Sequence, residues 1–300
     1  MEFGGIDNGG ECEANVYQDP FTTEMLQFVV DGAGSDQLLH HLPAVGQPDS
    51  ESSKKPSGDD LRGFYWIFKN MDFERWESTK GLQVLWIYGP AECCISDASS
   101  RIVDQAMKTP SESGAQHSVL YFFCSTAPTK VPIAITFIST IIHQLLRSLP
   151  GLKEKVTTVF LRTLLDTILR DEPLLDQHEE LSRFNRDDSV EATVKKILQT
   201  SSDGYWEALR AVVKCIDREH RVSLIIDGLD NAEHQGDEFI QKVLRFIDFL
   251  RGRPTTTRVL LTSRPQARIK DILSGVPSIE YDRERRGLIS VVCSYDKEYG

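Results

Sequence analysis

The sequence predicts an α/β protein in which a parallel sheet is covered by helices on both faces. From residue 84 onward, short and nearly all-apolar segments alternate with longer segments of helical spacing. Strands that are buried on both faces have this continuous apolar character. In addition, a carboxylate emerges at the end of one apolar segment, where open α/β sheets place ligand-binding groups.

The elements of this sheet can be assigned in chain order. Aromatic residues between Phe64 and Trp76 recur at roughly helical spacing and predict a helical cap over one edge of the sheet. The predicted strands are Val84–Tyr88, Val119–Cys124, Val222–Asp227, Val259–Thr262 and Ser278–Tyr281. The predicted helices are Ser99–Met107, Ile133–Leu149, Leu152–Leu169, Val190–Gln199, Trp206–Ile216 and Phe239–Leu250. Residues 150–219 contain no strand pattern and predict a helical insertion.

Composition divides the chain into three parts. Residues 1–60 are rich in Gly, Ser, Asp and Pro and predict a flexible segment, with one short helix at Thr23–Val30. Residues 61–285 contain the α/β pattern, and residues 286–300 form a short tail that looks truncated.

Charge limits the classes of partner. The formal net charge of −11 disfavours nucleic acid and anionic membrane surfaces, because both carry negative charge. The most apolar stretch, 133–149, is too short and too polar to span a bilayer. We therefore expect protein partners or self-association, without nucleic acid or membrane.

The six cysteines are scattered without a C-x-x-C pair, and the histidines have no metal-ligand spacing. The amino terminus also lacks the pattern of a secretory signal. We therefore expect reduced thiols and a cytoplasmic protein.

The first functional segment, Gly89-Pro-Ala-Glu-Cys-Cys-Ile-Ser96, lies where a phosphate-binding loop would follow the first strand. Such a loop uses glycines to wrap backbone N–H groups around phosphate, a lysine on the β/γ-phosphates and a hydroxyl on Mg²⁺. Gly89 and Ser96 stand at the correct spacing, but Cys94 replaces the second glycine and Ile95 replaces the lysine. An ordinary strand–helix turn would explain this segment if it stood alone.

Acidic residues accompany this loss of positive charge. Glu92 and Asp97 place carboxylates where a triphosphate would sit, and each close pair would cost on the order of 4 kcal/mol per unit charge. The same carboxylates complement the dipole of an empty helix N-terminus. Arg101 is the only nearby substitute cation, and it lies about five residues beyond Ser96, a long reach along a helix.

Two later segments complete the pattern. Asp227 ends an apolar strand and is a candidate Mg²⁺ ligand, and Asp230 is placed to polarise an attacking water. Arg264 follows another apolar strand and is a candidate γ-phosphate sensor, with Thr262 or Ser263 assisting. A turn-capping aspartate and a surface arginine are the simpler interpretations of these residues.

Taken together, these segments resemble a known family. The resemblance rests on Phe64–Asn70 with Asp72–Trp76, Leu85–Gly89, Tyr121–Phe123, Leu224–Asp230 and Leu260–Pro265, in that order. They resemble fungal NACHT-type domains, the STAND-class P-loop proteins that are also described as nephrocystin-3-like N-terminal domains. The resemblance covers about residues 61–281. It implies a P-loop NTPase-like sheet in the strand order 5-1-4-3-2 and an ATP- or GTP-dependent oligomerising switch.

Two functions remain open at this point. The first is a signalling scaffold or interaction module with a degenerate phosphate loop, without bound nucleotide and without NTP hydrolysis. The second is a weak NTPase switch that binds ATP or GTP with Mg²⁺. It would use Gly89, Ser96 and Arg264 for nucleotide, Ser96 and Asp227 for Mg²⁺, and Asp230 for catalysis.

Overall fold

The computed structural model of the chain describes residues 38–42, 65–90, 95–108, 116–124, 131–171, 189–235, 238–253 and 256–281. The predicted helix Thr23–Val30 and the predicted tail 286–300 lie outside these residues, so the division of the chain stays a prediction. Within residues 1–60, the short piece 38–42 belongs to the packed core, because Leu38 and Leu42 are buried there.

Five parallel strands form a single sheet. The strands are β1 (Gln83–Tyr88), β2 (His117–Phe123), β3 (Arg221–Asp227), β4 (Thr257–Ser263) and β5 (Ser278–Glu280). Their spatial order is β2-β3-β4-β1-β5, and every neighbouring pair is parallel. This confirms the predicted fold class and the order 5-1-4-3-2. All seven residues of the central strand β4 are buried, which explains why its sequence is apolar throughout its middle.

Helices cover both faces of the sheet. The first face carries α1 (Tyr65–Phe68), α2 (Met71–Ser78) and α3 (Ile95–Lys108). The remaining helices are α4 (Ile133–Ser148), α5 (Lys153–Asp171), α6 (Val190–Ile197), α7 (Ser202–Lys214), α8 (Glu238–Arg251) and α9 (Ala267–Ile272). Buried side chains of all six belong to the core on the second face. Within the described part of residues 150–219, helices account for all regular structure, as predicted.

The aromatic segment forms the predicted cap. The indole of Trp66 stacks on Tyr281 just after β5, with ring centroids 5.4 Å apart. Trp76 is buried, and its indole N–H donates a 3.0 Å hydrogen bond to the Val259 carbonyl oxygen of β4. The aromatic side chains therefore fix α1 and α2 against the sheet.

No single helix among the described residues is long and apolar enough to cross a membrane. The segments Ile133–Ser148 and Pro150–Ile168 pass such a test only as a pair, which is bent by 109°. Most residues of the first segment are buried inside the protein.

Candidate functional site

Strand order brings the three predicted segments together. Because β4 lies between β1 and β3, the carboxyl ends of these strands meet at one edge of the sheet. A cleft of about 310 Å³ opens there. Its described lining consists of Pro90, Ile95, Ser96, Asp97, Asp227, Gly228, Asp230, Asn231, Thr262, Ser263 and Arg264. All the predicted site residues except Gly89 therefore line one cleft, and Gly89 directly precedes it.

Three hydroxyl groups surround the carboxylate of Asp227. Ser96 donates a 2.6 Å hydrogen bond to Oδ2, and Ser99 donates one of 2.6 Å to Oδ1. Thr262 donates a third hydrogen bond, of 2.5 Å, also to Oδ1. Hydrogen bonds to an ionised group are stronger than neutral ones, so this arrangement stabilises a buried carboxylate. It also ties α3, β3 and β4 together at one point.

The turn after β3 depends on Gly228. This residue has a φ of +71°, which residues with a Cβ rarely adopt, and a Cβ there would lie 2.8 Å from the Asn231 side chain. The Gly228 N–H donates a 3.1 Å hydrogen bond to the Thr262 hydroxyl. Gly228 therefore lets the chain turn sharply between Asp227 and Asp230.

Asp230 and Arg264 form the second polar group of the cleft. The Asp230 side chain is 4% exposed, and its Oδ2 accepts from Nε of Arg264 at 2.5 Å. Its Oδ1 accepts a 2.9 Å hydrogen bond from the Arg264 backbone N–H. Arg264 also approaches Asn231, whose amide donates to the Cys124 carbonyl oxygen. Both oxygens of the predicted catalytic aspartate are thus engaged by the predicted phosphate sensor.

Ile95 lies at the position where a P-loop protein would carry its lysine. α3 begins at Ile95, four residues before the predicted start, so Ser96 and Asp97 belong to its first turn. The Ile95 Cδ1 atom is 3.2 Å from the place where a Cβ on Gly89 would be. An apolar side chain therefore packs beside the start of the loop.

Gly89 has a structural reason to be glycine. A Cβ at this position would lie 2.5 Å from the Tyr281 carbonyl oxygen, far inside any real contact distance. The chain passes this closely because the Tyr281 N–H donates a 2.6 Å hydrogen bond to the Tyr88 carbonyl oxygen. The close approach of the chain after β5 therefore accounts for a glycine at this position.

The remaining candidates are placed differently. Ser263 lines the cleft, and its hydroxyl accepts a 3.0 Å hydrogen bond from the indole N–H of Trp86. Arg101 is not among the described lining residues. Glu92 and Cys94 lie outside the described residues.

Sequence reasoning missed Ser99, which is fully buried, and it missed Tyr281 as the neighbour of Gly89. The spacing of Ser96 and Ser99 by one helical turn is the one sequence signal that could have indicated Ser99. Cys124 also lies beside the site. Burial, and secondarily Asp227 and Asp230, raise the pKa of its thiol well above the ordinary value, which keeps it protonated.

The charged and polar side chains of the cleft determine which ligands it could hold. The hydroxyl of Ser96 and the carboxylate of Asp227 are oxygen ligands of the kind that Mg²⁺ takes. The described lining, however, supplies three carboxylates (Asp97, Asp227, Asp230) and one guanidinium, that of Arg264. A triphosphate needs the opposite balance of charge. No group of three or more potential ligands among the described side chains could hold a metal ion alone.

The parallel sheet, its strand order and the cleft at the ends of β1, β3 and β4 define a P-loop NTPase-like α/β module. A family model described as "Nephrocystin 3, N-terminal" matches residues 64–162 and 157–264, more than half of the chain. The chain therefore belongs to the nephrocystin 3 N-terminal family. No curated protein matches it.

Proposed function

We propose that this chain is a NACHT-type module of the STAND class whose nucleotide switch has been replaced by permanent internal contacts. It acts as a signalling scaffold or interaction domain in the cytoplasm and engages protein partners or further copies of itself. It neither requires nor hydrolyses a nucleotide.

The engagement of Asp227 carries this proposal. Its two oxygens accept three hydroxyl hydrogen bonds, from Ser96, Ser99 and Thr262. In a nucleotide switch, γ-phosphate and Mg²⁺ hold the switch segments in one arrangement and release them after hydrolysis. Here three hydroxyl groups of the protein join the same segments through Asp227, which supports an arrangement that does not depend on a nucleotide.

Electrostatics supports the same conclusion. Arg264 is the only cation in the described lining, and Asp230 already pairs with it. The loop residues 91–94 have the sequence Ala-Glu-Cys-Cys and add no cation. An unshielded carboxylate about 4 Å from a phosphate would cost on the order of 4 kcal/mol at an effective dielectric near 20. Ile95 offers nothing that would offset this cost.

A restoring variant tests the proposal. Cys94→Gly with Ile95→Lys returns the loop glycine and the lysine, and we expect it to bind Mg·ATP or Mg·GTP in a calorimetric titration when the parent does not. Cys94→Gly with Ile95→Met is the matched control, because it changes the same positions without adding charge. Tight binding by the parent, or equal binding by the control, contradicts the proposal.

A second function is favoured by one contact. Ser96 and Asp227 are joined at 2.6 Å on the wall of the cleft, and this pair is the Mg²⁺ side of a working P-loop site. The alternative is therefore a weak NTPase in which Ser96 and Asp227 hold Mg²⁺, Arg264 contacts phosphate and Asp230 orients water. It predicts measurable phosphate release from ATP or GTP that Asp230→Asn abolishes, whereas the leading proposal predicts no turnover in either protein.

A further inference from the structure

A basic cluster lies at the amino ends of the strands, whereas the cleft lies at their carboxyl ends. It consists of His117, Arg221 and Arg258, with the hydroxyl of Ser223 among them. His117 stands beside Arg221 in the strand register, and Ser223 stands beside Arg258. Side chains in register, or two residues apart on one strand, share a face of the sheet. All four residues therefore occupy the same face near the amino ends of β2, β3 and β4.

Arg258 is an unusual member of this cluster. It is only 4% exposed, and its Nε atom is buried without a hydrogen-bond partner. Across the part of the chain that the structure describes, its guanidinium forms neither an ion pair nor a hydrogen bond. A buried polar atom without a partner is costly, so an anion that accepted a hydrogen bond from this Nε would be stabilised.

The pKa values of His117 and Arg258 indicate a positive electrostatic potential in this cluster, because neighbouring positive charges help to lower both of them. Burial, and then the charges of Arg221, Arg258 and His220, lower the pKa of His117 to about 4. Its Nε2 atom lies 2.9 Å from the Ser223 hydroxyl. Burial and Arg221 also lower the pKa of Arg258, and Glu77 is the carboxylate that opposes this shift.

Glu77 does not neutralise the cluster. It is close enough to favour the charged form of Arg258, but among the described residues it forms no ion pair with that guanidinium. Among the described residues, the charge of Arg221 adds to the positive potential at Arg258, and the partly exposed Glu77 reduces it. The local charge favours an additional anion.

We propose that the basic cluster binds a phosphate-sized oxyanion, held by the guanidinium groups of Arg221 and Arg258 and by the hydroxyl of Ser223. Guanidinium groups present paired N–H donors that match the oxygens of phosphate. Arg221 and His117 are partly exposed, which leaves an approach from the sheet edge, whereas the burial of Arg258 restricts the ligand to a small group. Free phosphate and a phosphate monoester share this chemistry.

The first test is calorimetric titration of the full chain with inorganic phosphate, at constant ionic strength in chloride. We expect saturable binding that weakens at least tenfold in Arg221→Met and in Arg258→Lys, which keeps a cation but loses the paired donors. Glu77→Gln should tighten binding because it removes the competing carboxylate. Lys214→Met removes one exposed cation from α7, which covers the other face of the sheet, and it should leave the affinity unchanged. A parallel titration with phenyl phosphate separates the two sources, because only a site open to monoesters binds it.

A second readout locates the anion. Bound phosphate would offset the neighbouring positive charges, so the pKa of His117, followed by NMR of its ring, should rise when phosphate is added. The proposal is overturned if phosphate does not bind the parent, if both arginine variants bind as the parent does, or if the pKa of His117 does not move.

Discussion

The Ser96 hydroxyl lies 2.6 Å from Oδ2 of Asp227, although 131 positions separate the two residues in the chain. This contact joins the first turn of α3 directly to the end of β3. If the proposed function is right, the contact belongs to a set of internal hydrogen bonds that replaces a nucleotide, and each member of the set can be tested.

Ser99 should contribute to stability through its buried hydrogen bond to Asp227. We expect Ser99→Ala to lower the free energy of unfolding by about 1.5–3 kcal/mol, because the variant leaves a buried carboxylate oxygen with one donor fewer. Urea unfolding would measure the change. Ser100→Ala is the control, since that hydroxyl donates a hydrogen bond to the Ser96 carbonyl oxygen of its own helix, and it should cost less than about 0.5 kcal/mol. Equal effects would refute a special role for Ser99.

Arg264 and Asp230 should be energetically coupled in the absence of nucleotide. Asp230 is buried and Arg264 is about half exposed, so we expect a coupling energy of about 1–2 kcal/mol, between the values for exposed and buried pairs. A double-mutant cycle of Arg264→Met and Asp230→Asn, followed by chemical unfolding, measures this energy. Strict additivity would show that the ion pair does not hold this edge of the sheet together.

Gly89 should be required for folding rather than for phosphate binding. We expect Gly89→Ala to destabilise the protein by about 1–3 kcal/mol without any nucleotide present, because the new Cβ would meet the Tyr281 carbonyl oxygen. Gly151→Ala is the control, because no atom lies within 4 Å of its added Cβ. Thermal unfolding compares the two variants, and a neutral Gly89→Ala would remove the structural explanation.

Gln144 should protect the outer strand β2 from pairing with another chain. Its side chain on α4 accepts a 2.8 Å hydrogen bond from the Tyr121 N–H and donates one of 3.0 Å to the Tyr121 carbonyl oxygen, on the edge strand β2. We expect Gln144→Met to speed amide exchange in residues 117–123 and to promote self-association, because unpaired edges invite strand pairing. Arg147→Met, on the same helix, should change neither amide exchange nor light scattering. Unchanged exchange in Gln144→Met would count against this role.

His117 should make stability depend on pH. Its pKa is about 4 in the folded protein and 6.5 as an ordinary histidine, so the unfolded chain binds more protons between these values. Stability therefore rises with pH from about 4 to about 6.5, and it is lost as pH falls through this window. We expect His117→Asn to flatten the slope in phosphate-free unfolding experiments. His220, whose pKa is also lowered by burial, would retain part of it. An identical slope in the variant would contradict the assignment.

Much of the fold could be predicted because buried parallel strands leave a direct pattern in sequence. The apolar runs around Leu85, Ile225 and Leu260 lie in β1, β3 and β4, and residues at or just after the ends of these strands (Pro90, Asp227 and Thr262) line the cleft. α3 begins four residues before the position that the sequence predicts. Residues 91–94, Ala-Glu-Cys-Cys, include none of the residue types that usually cap the start of a helix.

The contacts within the site were harder to predict, because they depend on packing between distant segments. Nothing local to Ser99 indicates that its hydroxyl meets Asp227, and nothing local to Gly89 indicates the approach of Tyr281. The direction of Arg264, toward Asp230 rather than into the open cleft, likewise follows from how β3 and β4 lie side by side.

Direct titration is the best test of whether the cleft binds a nucleotide. The folded 300-residue chain would be titrated with Mg·ATP, and then with Mg·GTP, by calorimetry. We predict no binding tighter than about 100 μM, which corresponds to roughly −5.5 kcal/mol. Saturable binding below that value, lost in Ser96→Ala or Asp227→Asn, would contradict the claim and establish a nucleotide switch.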